Sequence, residues 1–139
     1  MAEIDSTQIA PMLAVSDGSA AIEFYKLAFG ASVLWHLDGG GQIVAGLEIG
    51  GAKFFLAHES PEYGTRGPDS AGFTTVRIEL FVSDPATVHA QALAAGAAEN
   101  SPVVEHEYTM SGPQPIRRML QSAVIDPFGH MWLIGKILE

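Results

Sequence analysis

The sequence predicts an α+β chain, two tandem βαβββ modules whose curved mixed sheets surround a cleft. Two observations carry that prediction. A strand-like stretch, Val-Ser-Asp, a helix-like stretch and Gly-Ala occur in that order twice, at residues 9–31 and 74–97. Each copy is followed by three more strand-like stretches separated by turn sequences. A repeat of this size decides the architecture before any single residue is weighed. The first module is expected over residues 9–58, the second over 74–137, with 59–73 as the linker, and the whole chain 1–139 as one domain.

The first strand is expected over residues 9–15, with Ala10, Met12 and Ala14 on one face and Pro11, Leu13 and Val15 on the other. Asp17 then offers a carboxylate to the free N–H groups of a helix start, and Gly30 can take the positive φ that ends the helix. Ile22, Tyr25 and Phe29 share one helix face. Strands over 32–37, 42–49 and 52–58 follow, separated by Gly39-Gly40-Gly41 and Gly50-Gly51. In the second module a strand over 74–82 leads into Asp84, a second capping residue. Pro85 follows where its missing N–H costs nothing, and Gly96 closes the helix. Val88, Ala92 and Ala95 form that helix's apolar face. Strands over 103–106, 117–125 and 130–137 complete it, the last two joined by the turn Asp126-Pro127-Phe128-Gly129. The loop 108–115 is long enough to form a lid or a cleft rim.

Composition narrows the function classes. Apolar residues make up 47% of the chain, enough for a core without cross-links. There is no cysteine, which excludes disulfides, zinc ribbons and thiol nucleophiles and agrees with a cytoplasmic setting. The net charge is −9 and the seven basic residues form no stripe, so nucleic acid and anionic membranes are not expected partners. Residues 1–8 lack the pattern of a signal peptide, and no apolar run approaches the length of a membrane span. The glycine runs match no phosphate-binding loop, and no nucleotide-binding glycine motif follows a strand, which speaks against methyltransferase chemistry.

Two stretches bring a family into view. Phe24-Tyr25-Lys26-Leu27-Ala28-Phe29-Gly30-Ala31 resembles the signature after the first strand of the vicinal-oxygen-chelate superfamily, the glyoxalase, bleomycin-resistance and dioxygenase group. Asp126-Pro127-Phe128-Gly129-His130-Met131-Trp132 resembles the turn before that family's last strand. Its form is most similar to that of small bacterial glyoxalase-like, phosphonate-operon-associated members. The resemblance covers about residues 9 to 137 and implies the glyoxalase/bleomycin-resistance fold and a homodimer. It implies no single activity, because this fold hosts several chemistries. It also implies four positions for the ligands of a divalent metal. Counting seven residues back from Asp17 and Asp84, seven forward from Asp126, and along Phe55-Leu56-Ala57-His58, those positions hold Ala10, Arg77, Leu133 and Phe55. None is a metal ligand, so no metal and no other cofactor is expected. A one-residue slip would offer His58 or Glu79, but it turns the side chain to the helix-packed face.

Five histidines remain to be placed. His89 is expected to face solvent and His130 to be structural. His36 and His58 line the cleft or sit at solvated strand ends, and His106 is unassigned. By alternation Arg77, Glu79 and Phe81 share a face. The expected ligand-binding set is Met12, Trp35, Phe55, Arg77, Glu79, Phe81, Tyr108, Met131 and Leu133, an apolar wall with one cation and one carboxylate. Three functions compete. The first is a binding protein for a small molecule, an antibiotic or an aromatic metabolite. The second is a lyase, isomerase or dioxygenase with a shifted metal site. The third is a metal-free enzyme in which Glu79 is the catalytic base and Arg77 steadies an anion.

Overall fold

The computed structural model describes residues 6–139. The chain runs β1 (Met12–Val15), α1 (Gly18–Phe29), β2 (Ser32–Gly39), β3 (Gln42–Ile49) and β4 (Ala52–His58). A 3-10 turn (Pro61–Tyr63) and the short α2 (Pro68–Ala71) follow. The second module is β5 (Arg77–Phe81), α3 (Pro85–Ala95), β6 (Ala98–Glu107), β7 (Arg118–Ile125) and β8 (Met131–Ile137). Each module forms a four-stranded mixed sheet, in the orders β1-β4-β3-β2 and β5-β8-β7-β6. The first and fourth strands of each module pair in parallel, and the rest pair antiparallel. This is the α+β tandem architecture that the repeat predicts.

The repeated punctuation has the expected physical meaning. The Asp17 carboxylate accepts from the Ala20 N–H at 3.0 Å. The Asp84 carboxylate accepts from the Thr87 N–H at 3.2 Å and the Thr87 hydroxyl at 2.7 Å. Those bonds hold the exposed Asp84 carboxyl below its ordinary pKa, which marks it as a cap. Gly30 closes α1 at φ 68°, where a Cβ would be strained.

The modules join through their helix-covered faces. Helix α1 packs on α3, and the Gln91 amide donates to the Leu27 carbonyl at 2.8 Å. Trp132 of β8 lies 4.7 Å from Phe29, 5.5 Å from Tyr25 and 5.5 Å from Phe54, ring centre to ring centre. Beneath it the Asp126 carboxylate accepts from the Tyr25 hydroxyl, from Trp132 Nε1 at 3.0 Å, and from the Phe128 and His130 amides at 2.9 and 3.0 Å. Four donors satisfy a buried anion that has no cation beside it. Burial, and then the Asp126 charge, push the Tyr25 hydroxyl well above its ordinary pKa, so it stays protonated and donates. His130 donates from Nε2 to the Ala14 carbonyl at 2.8 Å, the structural role expected of it.

Several expectations need correction. Strand β1 begins at Met12 rather than at residue 9, because Pro11 has no N–H for the ladder. Strand β5 begins at Arg77 rather than at residue 74, because the Thr74 hydroxyl bonds the Val76 carbonyl and turns the backbone locally. Strand β6 is the edge strand and extends over Ala98–Glu107, well beyond 103–106. It tolerates Pro102 because register shifts between Glu99 and Val104 take up the irregularity. The linker is not bare loop. Its α2 is strapped to the Asp126 turn, with the Asp69 amide donating to the Phe128 carbonyl at 3.1 Å.

His89 also departs from expectation, since it is 7% exposed rather than solvent-facing. Its Nδ1 lies 2.8 Å from the Ser122 hydroxyl and its Nε2 lies 2.8 Å from the Glu99 carboxylate. An imidazole can be buried when both its nitrogens have partners.

Candidate functional site

Alternation sends one side of each strand to the helix and the other to the open face of its sheet. Leu13, Val15, Leu80, Trp132 and Ile134 point to the core. Their neighbours Met12, Arg77, Glu79, Phe81, Met131 and Leu133 therefore take the open faces.

On the first sheet this face is apolar around Phe55. Met12 is paired in register with Phe55, and Gly46 with both Phe55 and Trp35. The Trp35 ring lies 5.5 Å from Phe55. It rests where a side chain of residue 46 would stand, since a Cβ there would be 2.5 Å from the indole. Gly46 thus makes the seat for Trp35.

The second sheet carries an open hollow of about 580 Å3. Its floor is Arg77 and Glu79 of β5, Leu133 of β8, and Met119 and Gln121 of β7, and its rim is Thr75, Tyr108, Met110 and Ile116. The Gln121 amide donates to the Glu79 carboxylate at 3.2 Å. Tyr108 stacks on His106 with ring centres 6.0 Å apart. A second hollow of about 540 Å3 lies at the joint of the modules, bounded by Met12, Arg66, Phe73, Val76 and His130.

Of the residues expected to bind a ligand, Arg77, Glu79, Tyr108 and Leu133 come together in the second-sheet hollow. Met131 pairs with Arg77 and takes the same face, though it does not line the hollow. Phe81 lies further along that face and is 50% exposed. Met12, Trp35 and Phe55 belong to the first sheet, and no first-module residue lines this hollow. Sequence reasoning missed Met119 and Gln121, although alternation along β7 places them opposite the helix-facing Ser122. It also missed Thr75, Met110 and Ile116, the last two within or beside the loop expected to form a rim. Neither His36 nor His58 joins the site. A register shift between Val33 and Trp35 turns His36 toward Ser19 and Glu23 of α1, and His58 pairs with the core residue Val15.

The four positions at which the family resemblance implies metal ligands carry a methyl, a phenyl, a guanidinium and an isobutyl group, at Ala10, Phe55, Arg77 and Leu133. This set does not fit a divalent cation, because it supplies no oxygen, imidazole or thiolate donor and places one positive charge. Among the described residues no three His, Cys, Asp or Glu side chains gather elsewhere into such a site.

Fold and site together define a tandem βαβββ protein with an open hollow on its second sheet. The chain belongs to the Glyoxalase/Bleomycin resistance protein/Dioxygenase superfamily, whose family model matches residues 4–134. It is 35% identical to the uncharacterized protein Rv0887c of Mycobacterium tuberculosis, over 92% of this chain and 73% of that one. Among solved structures, a gene product of Arabidopsis thaliana is 27% identical with a TM-score of 0.65, covering 94% of this chain and 99% of that one. TioX from Micromonospora sp. ML1, at 24% identity and a TM-score of 0.65 over 94% and 95% of the two chains, shares the fold. No helix among the described residues is long and apolar enough to cross a membrane.

Proposed function

We propose that this chain is a small-molecule binding protein of the glyoxalase/bleomycin-resistance type, working without the metal its superfamily commonly holds. The observation that carries this reading is the hollow itself. About half of its wall is apolar, from Met110, Ile116, Met119, Leu133 and the Tyr108 ring, with Thr75, Arg77, Glu79 and Gln121 as polar groups. The four positions at which the resemblance implies metal ligands hold Ala10, Phe55, Arg77 and Leu133. Apolar contact supplies affinity in such a site, and a few polar groups orient the ligand. An antibiotic or an aromatic metabolite fits that chemistry. The turn Phe128-Gly129-His130-Met131-Trp132 supports placing it with the small bacterial glyoxalase-like, phosphonate-operon-associated members.

Two further parts belong to this reading. The protein works in the cytoplasm, in keeping with its lack of cysteine. It works as a homodimer in which a second copy covers the open sheet faces. Met12, Trp35, Leu37 and Phe81 are 55%, 41%, 66% and 50% exposed, more large apolar surface than isolated exposed residues need explaining.

Elemental analysis tests the central point, using untagged protein purified without chelator and then offered zinc, nickel, iron and manganese. The expected result is no stoichiometric metal. One tightly held ion per chain would overturn the reading and favour a lyase, isomerase or dioxygenase with a shifted site. Sedimentation equilibrium tests the dimer, and a monomer at micromolar concentration would remove that part.

A further inference from the structure

We propose that the ligand of the second-sheet hollow is a monoanionic carboxylate on an aromatic or apolar body, its carboxylate seated on Arg77. The inference rests on the reading of this hollow as a small-molecule site and names the ligand's chemical class. Ion pairs among the described residues are made by Lys26 and Arg118, His89 is hydrogen-bonded to Glu99, and Arg77 takes part in none of these contacts. The obvious acidic partner is Glu79, two residues on and on the same strand face. Its carboxylate instead accepts from the Gln121 amide. Arg77 therefore lines the hollow with no acidic side chain within ion-pair distance among the described residues.

That fork matches a carboxylate in two parallel N–H···O bonds, which a lysine or a neutral donor cannot reproduce. Thr75, two residues before Arg77, also lines the hollow, and its hydroxyl can add a donor. Leu133 and Met119 on the floor and Tyr108 above supply apolar surface for the rest of the ligand. The chain as a whole carries −9, so its long-range field repels anions, and capture needs a local, unneutralised cation. Glu79 sets the limit on charge, because a second anionic group on the ligand would meet its carboxylate. The repeat makes the feature particular to this hollow, since the counterpart of Arg77 seven residues before the first helix cap is Ala10. Arg66, at the joint hollow, sits in an irregular segment of the linker rather than on a sheet, so nothing comparable holds its side chain in place.

The test is a panel of aryl carboxylates, 2-naphthoate and indole-3-acetate among them, each paired with its neutral primary amide. Binding is read by amide chemical-shift perturbation in the wild type and in Arg77→Gln and Arg77→Lys, after thermal melts establish that the variants fold. Acids are expected to bind the hollow about ten- to hundredfold more tightly than their amides, the range a charge-assisted hydrogen bond spans. Arg77→Gln should abolish that preference, and Arg77→Lys should keep only part of it. If amides bind the hollow as well as acids, or acids bind Arg77→Gln unchanged, the carboxylate assignment is overturned while the binding site stands. If no acid or amide perturbs residues of the hollow, the carboxylate assignment and the binding reading both fail.

Discussion

The two modules are copies that kept the buried faces of their first strands and diverged on the open ones. Counting from Asp17 and Asp84, Leu13 corresponds to Leu80 and Val15 to Val82, and all four pack in the core. On the opposite face Ala10 corresponds to Arg77, Met12 to Glu79 and Ala14 to Phe81. Strand pairing confirms the match, for Met12 lies opposite Phe55 as Glu79 lies opposite Leu133. Phe55 and Leu133 are in turn opposite Gly46 and Ala123. In the first module Trp35 covers Gly46, whereas its counterpart opposite Ala123 is the short Ser101. One sheet therefore carries an aromatic cover and the other an open hollow with a charged floor. The divergence teaches that one strand frame can hold while the chemistry of its open face changes.

The largest effect should come from breaking what the modules share. Trp132→Ala removes the ring that Tyr25, Phe29 and Phe54 all touch, and it should cost about 3–5 kcal/mol in urea unfolding. A cost near that of an exposed residue would mean that the modules do not share one core.

A middle-sized effect sharpens a difference hidden under the helices. His89, Ser122 and Glu99 form a polar cluster where the first module has Ile22, Ala45 and Val33. His89→Ile alone strands the Ser122 hydroxyl, which is 1% exposed, and should destabilise by about 1–3 kcal/mol. Adding Ser122→Ala and Glu99→Val copies the apolar version and should return stability to within about 1 kcal/mol of the wild type, because removing all partners leaves no orphan. A triple variant as weak as the single one would show that the modules differ here in shape as well as polarity.

The smallest effect concerns the open face of the first sheet. Gly46→Ala, the residue type of the second module at this position, puts a methyl group where the Trp35 indole rests. Because Trp35 is 41% exposed, its ring can swing outward, so unfolding should change by about 1 kcal/mol or less. Its fluorescence should shift toward longer wavelength while Trp132, 1% exposed, serves as an internal reference. An unshifted spectrum would mean that the indole does not sit on Gly46 in solution.

Much of this comparison was legible before any coordinate. The caps at Asp17 and Asp84, the turn at Asp126 and the split between Leu13 and Met12, or Leu80 and Glu79, are local or period-two features, written within a few residues of one another. The sequence also determined which residue types stand at the four positions where the resemblance implies metal ligands. Other features were decided only by tertiary structure. His89 looks like a surface residue on its helix until Ser122, thirty-three positions away, and Glu99 meet its two nitrogens. Neither the bulge that turns His36 toward α1 nor the shifts that carry β6 past Pro102 has a periodic signal. That Arg77, Glu79, Tyr108 and Leu133 share one hollow while Met12, Trp35 and Phe55 lie on another sheet depends on long-range strand pairing within each module, and the joint of the modules is long-range too. The joint is made by Trp132 and by Asp126, whose partner Tyr25 is 101 residues distant in the chain. Local periodicity reports which way a side chain points; only long-range packing decides what it meets there.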